Sequence, residues 1–152
     1  MDRKLQKVAT KRLREIWLKY NAIHGLYAKS VGISAVASAV LECLSEPDTA
    51  YTQKGLCDML LLPKQLVNSI IKGFWEQGLV ELTEARDRRN KVIVLTGAGR
   101  AYCKKVITPI QDAEFAVWEE FTEDEIHTFI RLSEKHEKAF ETAVMEVVNR
   151  SN

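Results

Sequence analysis

From Thr52 to Gly99 the chain is punctuated so closely that few folds remain open to it. Thr52 suits a helix N-cap, because its hydroxyl can accept from a first-turn amide that has no carbonyl partner. Leu56, Met59 and Leu60 follow at helical spacing and share one face. Pro63 suits the first position of a second helix, where its missing N–H would have had no partner. Val67, Ile70, Ile71 and Phe74 form the inward stripe of that helix, and Lys64, Gln65, Asn68 and Lys72 fall mostly on its other side. Gly78 is placed to end it in a left-handed conformation.

Two β-prone runs come next, Leu79–Thr83 and Val92–Thr96. Between them lie Arg86, Asp87, Arg88, Arg89, Asn90 and Lys91, four cations and one acid on a short connection. A short helix, a tight turn, a longer helix and a hairpin with a basic tip make the element order of a winged helix-turn-helix.

The same residues carry a resemblance. Thr52-Gln53 opens the first short helix, Gln77-Gly78-Leu79-Val80 closes the second, Asp87-Arg88-Arg89 sits in the wing, and Leu95-Thr96-Gly97-Ala98-Gly99-Arg100 follows it. In that order and at those distances they resemble the DNA-binding region of the MarR family of bacterial transcription regulators. The sequence departs from the family pattern at Leu61, where a small residue or glycine is common, at Pro63, where Ser is common, and at Leu66, where Thr is common.

The flanks agree with that resemblance. Residues 3–28 read as one helix about 40 Å long at 1.5 Å per residue, with apolar side chains from Leu5 to Tyr27 at steps of three and four. Gly32 breaks it, and Ser34 caps a second helix that runs to about Ser45 and is rich in small residues. Ala50-Tyr51 could add a short strand beside the hairpin. Thr96 caps a helix from Gly97 to about Glu120, expected to kink at Pro109. Thr122 to Glu125 reads as a capping box opening a last helix with an acidic face. The expected architecture is mainly α with a small β-hairpin. Residues 31–96 would be the winged helix-turn-helix region, and residues 1–30 and 97–152 a helical dimerisation region, all one intertwined domain. The terminal helices are too long and too apolar to be satisfied alone, and family members dimerise through them.

Charge is uneven. Residues 52–105 carry 10 Lys and Arg against 5 Asp and Glu, whereas residues 106–152 carry 4 against 11. A basic middle and an acidic tail suit a chain that sets one face on phosphate. No apolar leader or membrane-length run is visible, so a cytoplasmic protein is expected. The three cysteines, Cys43, Cys57 and Cys103, form no pairing motif. No nucleophile–base motif, phosphate-binding glycine loop, metal-ligand cluster or cofactor signature is present, so no enzyme, metal site or cofactor is expected.

The partner implied is double-stranded DNA carrying a pseudo-palindromic operator, bound by a homodimer. Side chains near the N-terminus of a recognition helix reach base edges in the major groove. Here these are Pro63, Lys64, Gln65, Asn68 and Ser69, with Lys72 further along for phosphate; Thr52, Gln53 and Lys54 open the helix-turn-helix. In the family an Asp and an Arg two residues later act as a pair in the wing, here Asp87 and Arg89. The acid would aim the guanidinium into a minor groove, with Arg86, Arg88 and Lys91 on phosphate. The resemblance also implies repression relieved by a small aromatic or anionic ligand. Trp17, Tyr20, His24 and Tyr27 are candidates to line its site, though the same aromatics also read as core and interface. Two alternatives stay open, a winged-helix adaptor that binds protein rather than DNA, and a thiol redox sensor.

Overall fold

Glycine, proline and capping hydroxyls set the breaks between elements. The computed structural model describes residues 2–47, 49–84 and 91–151. In chain order these form α1 (Arg3–Ser30), α2 (Ala35–Ser45), α3 (Gln53–Leu60), α4 (Lys64–Glu76), β1 (Val80–Glu84), β2 (Lys91–Leu95), α5 (Gly97–Val106), α6 (Thr108–Val117), a 3-10 turn (Trp118–Glu120) and α7 (Glu123–Ser151). The mainly helical class with one small hairpin is the class the sequence predicts. Residues 1–110 gather into one compact unit and residues 111–152 into a second.

In the first unit, α1 stops at Gly32, whose φ is +80°. The Gly32 amide donates to Lys29 O and the Ile33 amide to Ala28 O, at 3.1 and 3.0 Å. These two bonds satisfy carbonyls that the last turn would otherwise leave bare, and the conformation costs glycine nothing. The chain axis then turns through 87° into α2. Ser34 caps α2 by accepting from the Ala37 amide at 3.1 Å. Helix α2 is the centre of the unit and packs against α1, α3, α5 and β2. Its Val40 and Leu41 are fully buried, as are Leu56 of α3 and Val67 of α4. Each such burial stabilises the fold by roughly 1.5–3 kcal/mol.

The hairpin is antiparallel, in register from Val80 opposite Leu95 to Glu84 opposite Lys91. Both strands thus sit one residue away from the expected runs, and Lys91 begins β2 instead of belonging to the tip. Tyr51 bridges to Ile93, whose amide donates to Tyr51 O at 2.8 Å. This is the short extra strand expected at Ala50-Tyr51.

Two expectations need correction. Met59 is 59% exposed, because the inward face of α3 centres on Leu56 and Leu60 and leaves Met59 on the rim. The helix expected from Gly97 to Glu120 is not kinked but broken. The break lies at Ile107 (φ −111°, ψ −45°), so that Pro109 falls in the first turn of α6, where no amide is needed. The break leaves the Val106 carbonyl without its usual partner, since the Ile110 amide donates to Ile107 O instead. The Tyr27 hydroxyl donates to that carbonyl at 3.1 Å, tying α1 to the end of α5.

In the second unit, Thr122 and Glu125 form the expected capping box. The Glu125 amide donates to Thr122 Oγ1, while the Thr122 amide and hydroxyl both donate to Glu125 Oε2 at 2.9 Å. Those two donors hold the Glu125 carboxyl below its ordinary pKa. The Trp118 ring meets Phe121 and Phe129 at centroid distances of 5.7 and 5.8 Å. Helix α7 runs for 29 residues, yet among its described side chains none is buried and only Ile126 is half-buried.

Candidate nucleic-acid interface

The helix-turn-helix is built from α3, a three-residue turn and α4. Thr52 caps α3, its hydroxyl accepting from the Gly55 amide at 3.0 Å. Gln53 is half-buried and Lys54 exposed. Leu61 makes the turn with φ 51° and ψ 41°, the sole non-glycine residue at positive φ among those described. The Leu62 amide then donates back to Cys57 O at 3.0 Å. A leucine held there costs roughly 1–2 kcal/mol against a glycine, and its side chain is 90% exposed. Nothing in its spacing with other apolar residues signals this; the departure from the family's small turn residue is the available hint.

Pro63 stands one position earlier than expected. It is the N-cap of α4, with φ −59° and ψ 137°, and contributes no side-chain hydrogen bond. Its carbonyl accepts from the Leu66 and Val67 amides at 3.0 and 3.2 Å. Along α4, Val67, Ile71 and Phe74 are buried and anchor the helix. Lys64, Gln65, Ser69 and Lys72 are exposed on the other side, as expected. Lys72 reaches Glu76 at 3.6 Å, a solvated i,i+4 pair that leaves the cation near the surface. Asn68 is only half-exposed. Its Oδ1 is buried and accepts no hydrogen bond among the described residues, so the amide as it stands cannot offer both polar atoms to a base edge. Leu66, at 39% exposure, borders the same outward face.

The far end of α4 is fixed to the base of the wing. Gly78 has φ +70°. Its amide donates to Trp75 O, and the Leu79 amide to Phe74 O at 2.8 Å. The Leu79 carbonyl in turn accepts from the Thr96 amide at 3.0 Å, and the Thr96 hydroxyl donates to Gly78 O at 2.6 Å. Thr96 also caps α5, accepting from the Gly99 amide at 3.0 Å. Gly99 lies so close that a Cβ built there would stand 1.9 Å from Leu79 O. One threonine and one glycine thus lock α4, the hairpin and α5 together. Arg86, Asp87, Arg88, Arg89 and Asn90 lie outside the described residues, and Lys91 is exposed at the start of β2.

The four aromatic candidates on α1 separate. Trp17 and Tyr20 are 63% and 56% exposed. His24 is half-buried, with its ring 4.5 Å from that of Tyr20. Tyr27 is committed to Val106 O. Cys43 and Cys103 are buried, and burial pushes both thiols above their ordinary pKa; Cys57 is half-buried. Among the described residues no three His, Cys, Asp or Glu side chains converge as a metal ion requires. No single helix among them is long and apolar enough to cross a membrane.

No protein-family model and no curated protein matches the sequence. Solved structures are similar over most of its length. A MarR family regulator from Neisseria meningitidis superposes with a TM-score of 0.69 at 26% identity, covering 89% of this chain and 97% of its own. A MarR family protein from Bacillus stearothermophilus gives 0.70 at 20% identity, over 93% and 99%. MepR of Staphylococcus aureus, solved in a DNA-binding conformation, gives 0.73 at 16% identity, over 87% and 98%. With its capped α3, glycine-ended α4, paired hairpin and flanking helices, this chain has the winged helix-turn-helix fold of these MarR family structures.

Proposed function

We propose that the chain is a dimeric, sequence-specific DNA-binding transcription regulator. One observation carries this reading. The first turns of α4, on a rigid helix-turn-helix, expose Lys64, Gln65, Ser69 and Lys72 and contain no acid. That face suits the major groove, where Gln can pair with adenine and Lys with guanine or phosphate. Asp87 and Arg89 would act at the wing, the acid orienting the guanidinium toward a narrow minor groove with enhanced negative potential. Arg86, Arg88 and Lys91 would add phosphate contacts that position without specifying.

Dimerisation accounts for the terminal helices. Leu5, Trp17, Ile23 and Leu26 on α1 are 60–69% exposed, and Phe129, Phe140 and Val147 on α7 are 55–64% exposed. Apolar stripes of that length seek cover. Residues 1–30 and 97–152 would form the dimer region, and residues 31–96 the reading head. Two heads would read half-sites about 10 bp apart. The regulatory mode is repression by promoter occupancy, relieved by a small aromatic or anionic molecule that favours one head spacing over the other. Trp17, Tyr20 and His24 are the stronger lining candidates, because Tyr27 already spends its hydroxyl on backbone.

A second reading has its own observation. Met59, Leu61 and Trp75 on the head are 59%, 90% and 58% exposed, as an adaptor that binds protein would require. Selection of duplexes from a random pool at physiological salt separates the two. Enrichment of an inverted repeat supports the regulator, with affinity falling steeply as salt rises. No enrichment, together with salt-insensitive capture of a protein partner, overturns it.

A further inference from the structure

The outward face of α4 is poorer in polar groups than its sequence suggests. Gln65 and Ser69 are exposed, but Asn68 has its amide oxygen buried. At the edge of that face stands a leucine. Leu66 is 39% exposed although the neighbouring turns offer a buried stripe at Val67, Ile71 and Phe74. It follows Gln65 directly and precedes Ser69 by three residues, so it borders the face those two define. Along the same flank, two turns on, Gly73 carries no side chain, and nothing lies within 4 Å of where a Cβ would be. Lys64 and Lys72 are exposed further round the same helix.

An exposed apolar side chain beside Gln65 and Ser69 on a groove-facing helix has one apolar partner on the base edges of duplex DNA, the C5 methyl of thymine, which projects into the major groove. We propose that Leu66 is a specificity-determining residue that reads a thymine methyl in each half-site. The discrimination is then hydrophobic rather than hydrogen-bonded at that position. This rests on the DNA-binding reading above.

The experiment uses the full-length protein and the duplex it selects. Each thymine is replaced singly by deoxyuridine, which keeps the pairing edge and removes only the methyl, and affinity is measured at fixed salt. Burial of one methyl predicts a loss of about fourfold at one position per half-site. In Leu66→Ala the same replacement should have no effect, the variant's fold being checked by circular dichroism. Equal affinity for thymine and deoxyuridine at every position, in a wild-type protein that binds its duplex, overturns the assignment and leaves the DNA-binding reading intact. Persistence of the loss in Leu66→Ala also overturns it, since another residue would then read the methyl. Failure of the wild type to bind any duplex defeats the DNA-binding reading itself, and the assignment with it.

Discussion

Substituting Gly99 by Ala tests how the wing is joined to the reading helix. An ideal Cβ at Gly99 would lie 1.9 Å from Leu79 O, 2.9 Å from Leu79 C and 3.2 Å from Leu95 Cδ2. Relief requires a backbone shift of about 1 Å. The carbonyl is ill placed to move. It accepts from the Thr96 amide, while the amide of the same residue donates to Phe74 O. Overpacking of this kind costs about 1–3 kcal/mol, and a lost or stretched Thr96 hydrogen bond adds about 1 kcal/mol. Alanine returns up to about 1 kcal/mol through its better helix propensity.

The net expectation is a loss of about 1–3 kcal/mol, a large share of the 5–15 kcal/mol typical of a domain. It should appear as a lower urea midpoint at unchanged slope, measured at fixed protein concentration because the stability of the proposed dimer would depend on it. Gly73→Ala is the matched control. It makes the same exchange inside a helix, but nothing lies within 4 Å of the new Cβ, so it should stabilise by about 0.5–1 kcal/mol. If Gly99→Ala matched the control, the close approach to Leu79 would not be what holds the two helices and the hairpin in place.

Leu61→Gly should stabilise the protein by about 0.5–1 kcal/mol, since relief of left-handed strain outweighs the added freedom of the unfolded chain; a lower melting temperature would mean that the exposed side chain supports the fold. Arg89→Ala should weaken duplex binding at least tenfold, an estimate of about 1.4 kcal/mol or more, with sedimentation still reporting a dimer, and unchanged affinity at fixed salt would remove the wing from the interface. Cys43 and Cys103 should alkylate far more slowly than a free thiol at pH 8, because burial holds both in the protonated form. Rapid labelling of either in the native protein would revive the redox alternative. Acidification should weaken the start of α7: the Glu125 carboxyl is lowered by its Thr122 donors, so its contribution is complete above the unfolded pKa and lost as pH falls through the folded one. In Thr122→Ala that pH dependence should weaken without vanishing in the amide protection of residues 123–126, because the backbone amide at position 122 still donates to the Glu125 carboxylate.

Much of this fold is legible because its punctuation is chemical. Ser34, Thr52, Thr96 and Thr122 each have a hydroxyl that must find an amide, and each does. Gly32 and Gly78 each stand where the chain must turn left-handed. Periodicity named Val67, Ile71 and Phe74 as buried for the same reason, since a 3.6-residue repeat assigns faces without any tertiary knowledge. Met59 failed because α3 has only eight residues, too few for a stripe to be centred. The break at Ile107 failed because a proline fixes which amide is missing, but not which side of itself the chain yields on. The carbonyl opened by that break, on Val106, is met by Tyr27, some 80 residues away in sequence.

The candidate site divides along the same line, and the division explains why a polar motif is a weak guide to base readout. Spacing tells which residues of α4 face outward, and Lys64, Gln65, Ser69 and Lys72 do so. Spacing cannot tell how an amide is turned. Asn68 has the residue type and the face expected of an adenine reader, but its oxygen is buried and accepts no hydrogen bond among the described residues, at a cost of about 1–3 kcal/mol. Engaging a base would require that side chain to rotate outward, which would relieve the buried oxygen at the moment of contact. Tyr27 makes the converse case. It sits in the aromatic stripe that resemblance offers to a ligand, but its hydroxyl is the partner of a carbonyl that the break at Ile107 leaves open. A residue's place in a pattern gives its surroundings; its role follows from which polar atoms nearby still lack partners, and that is a tertiary property.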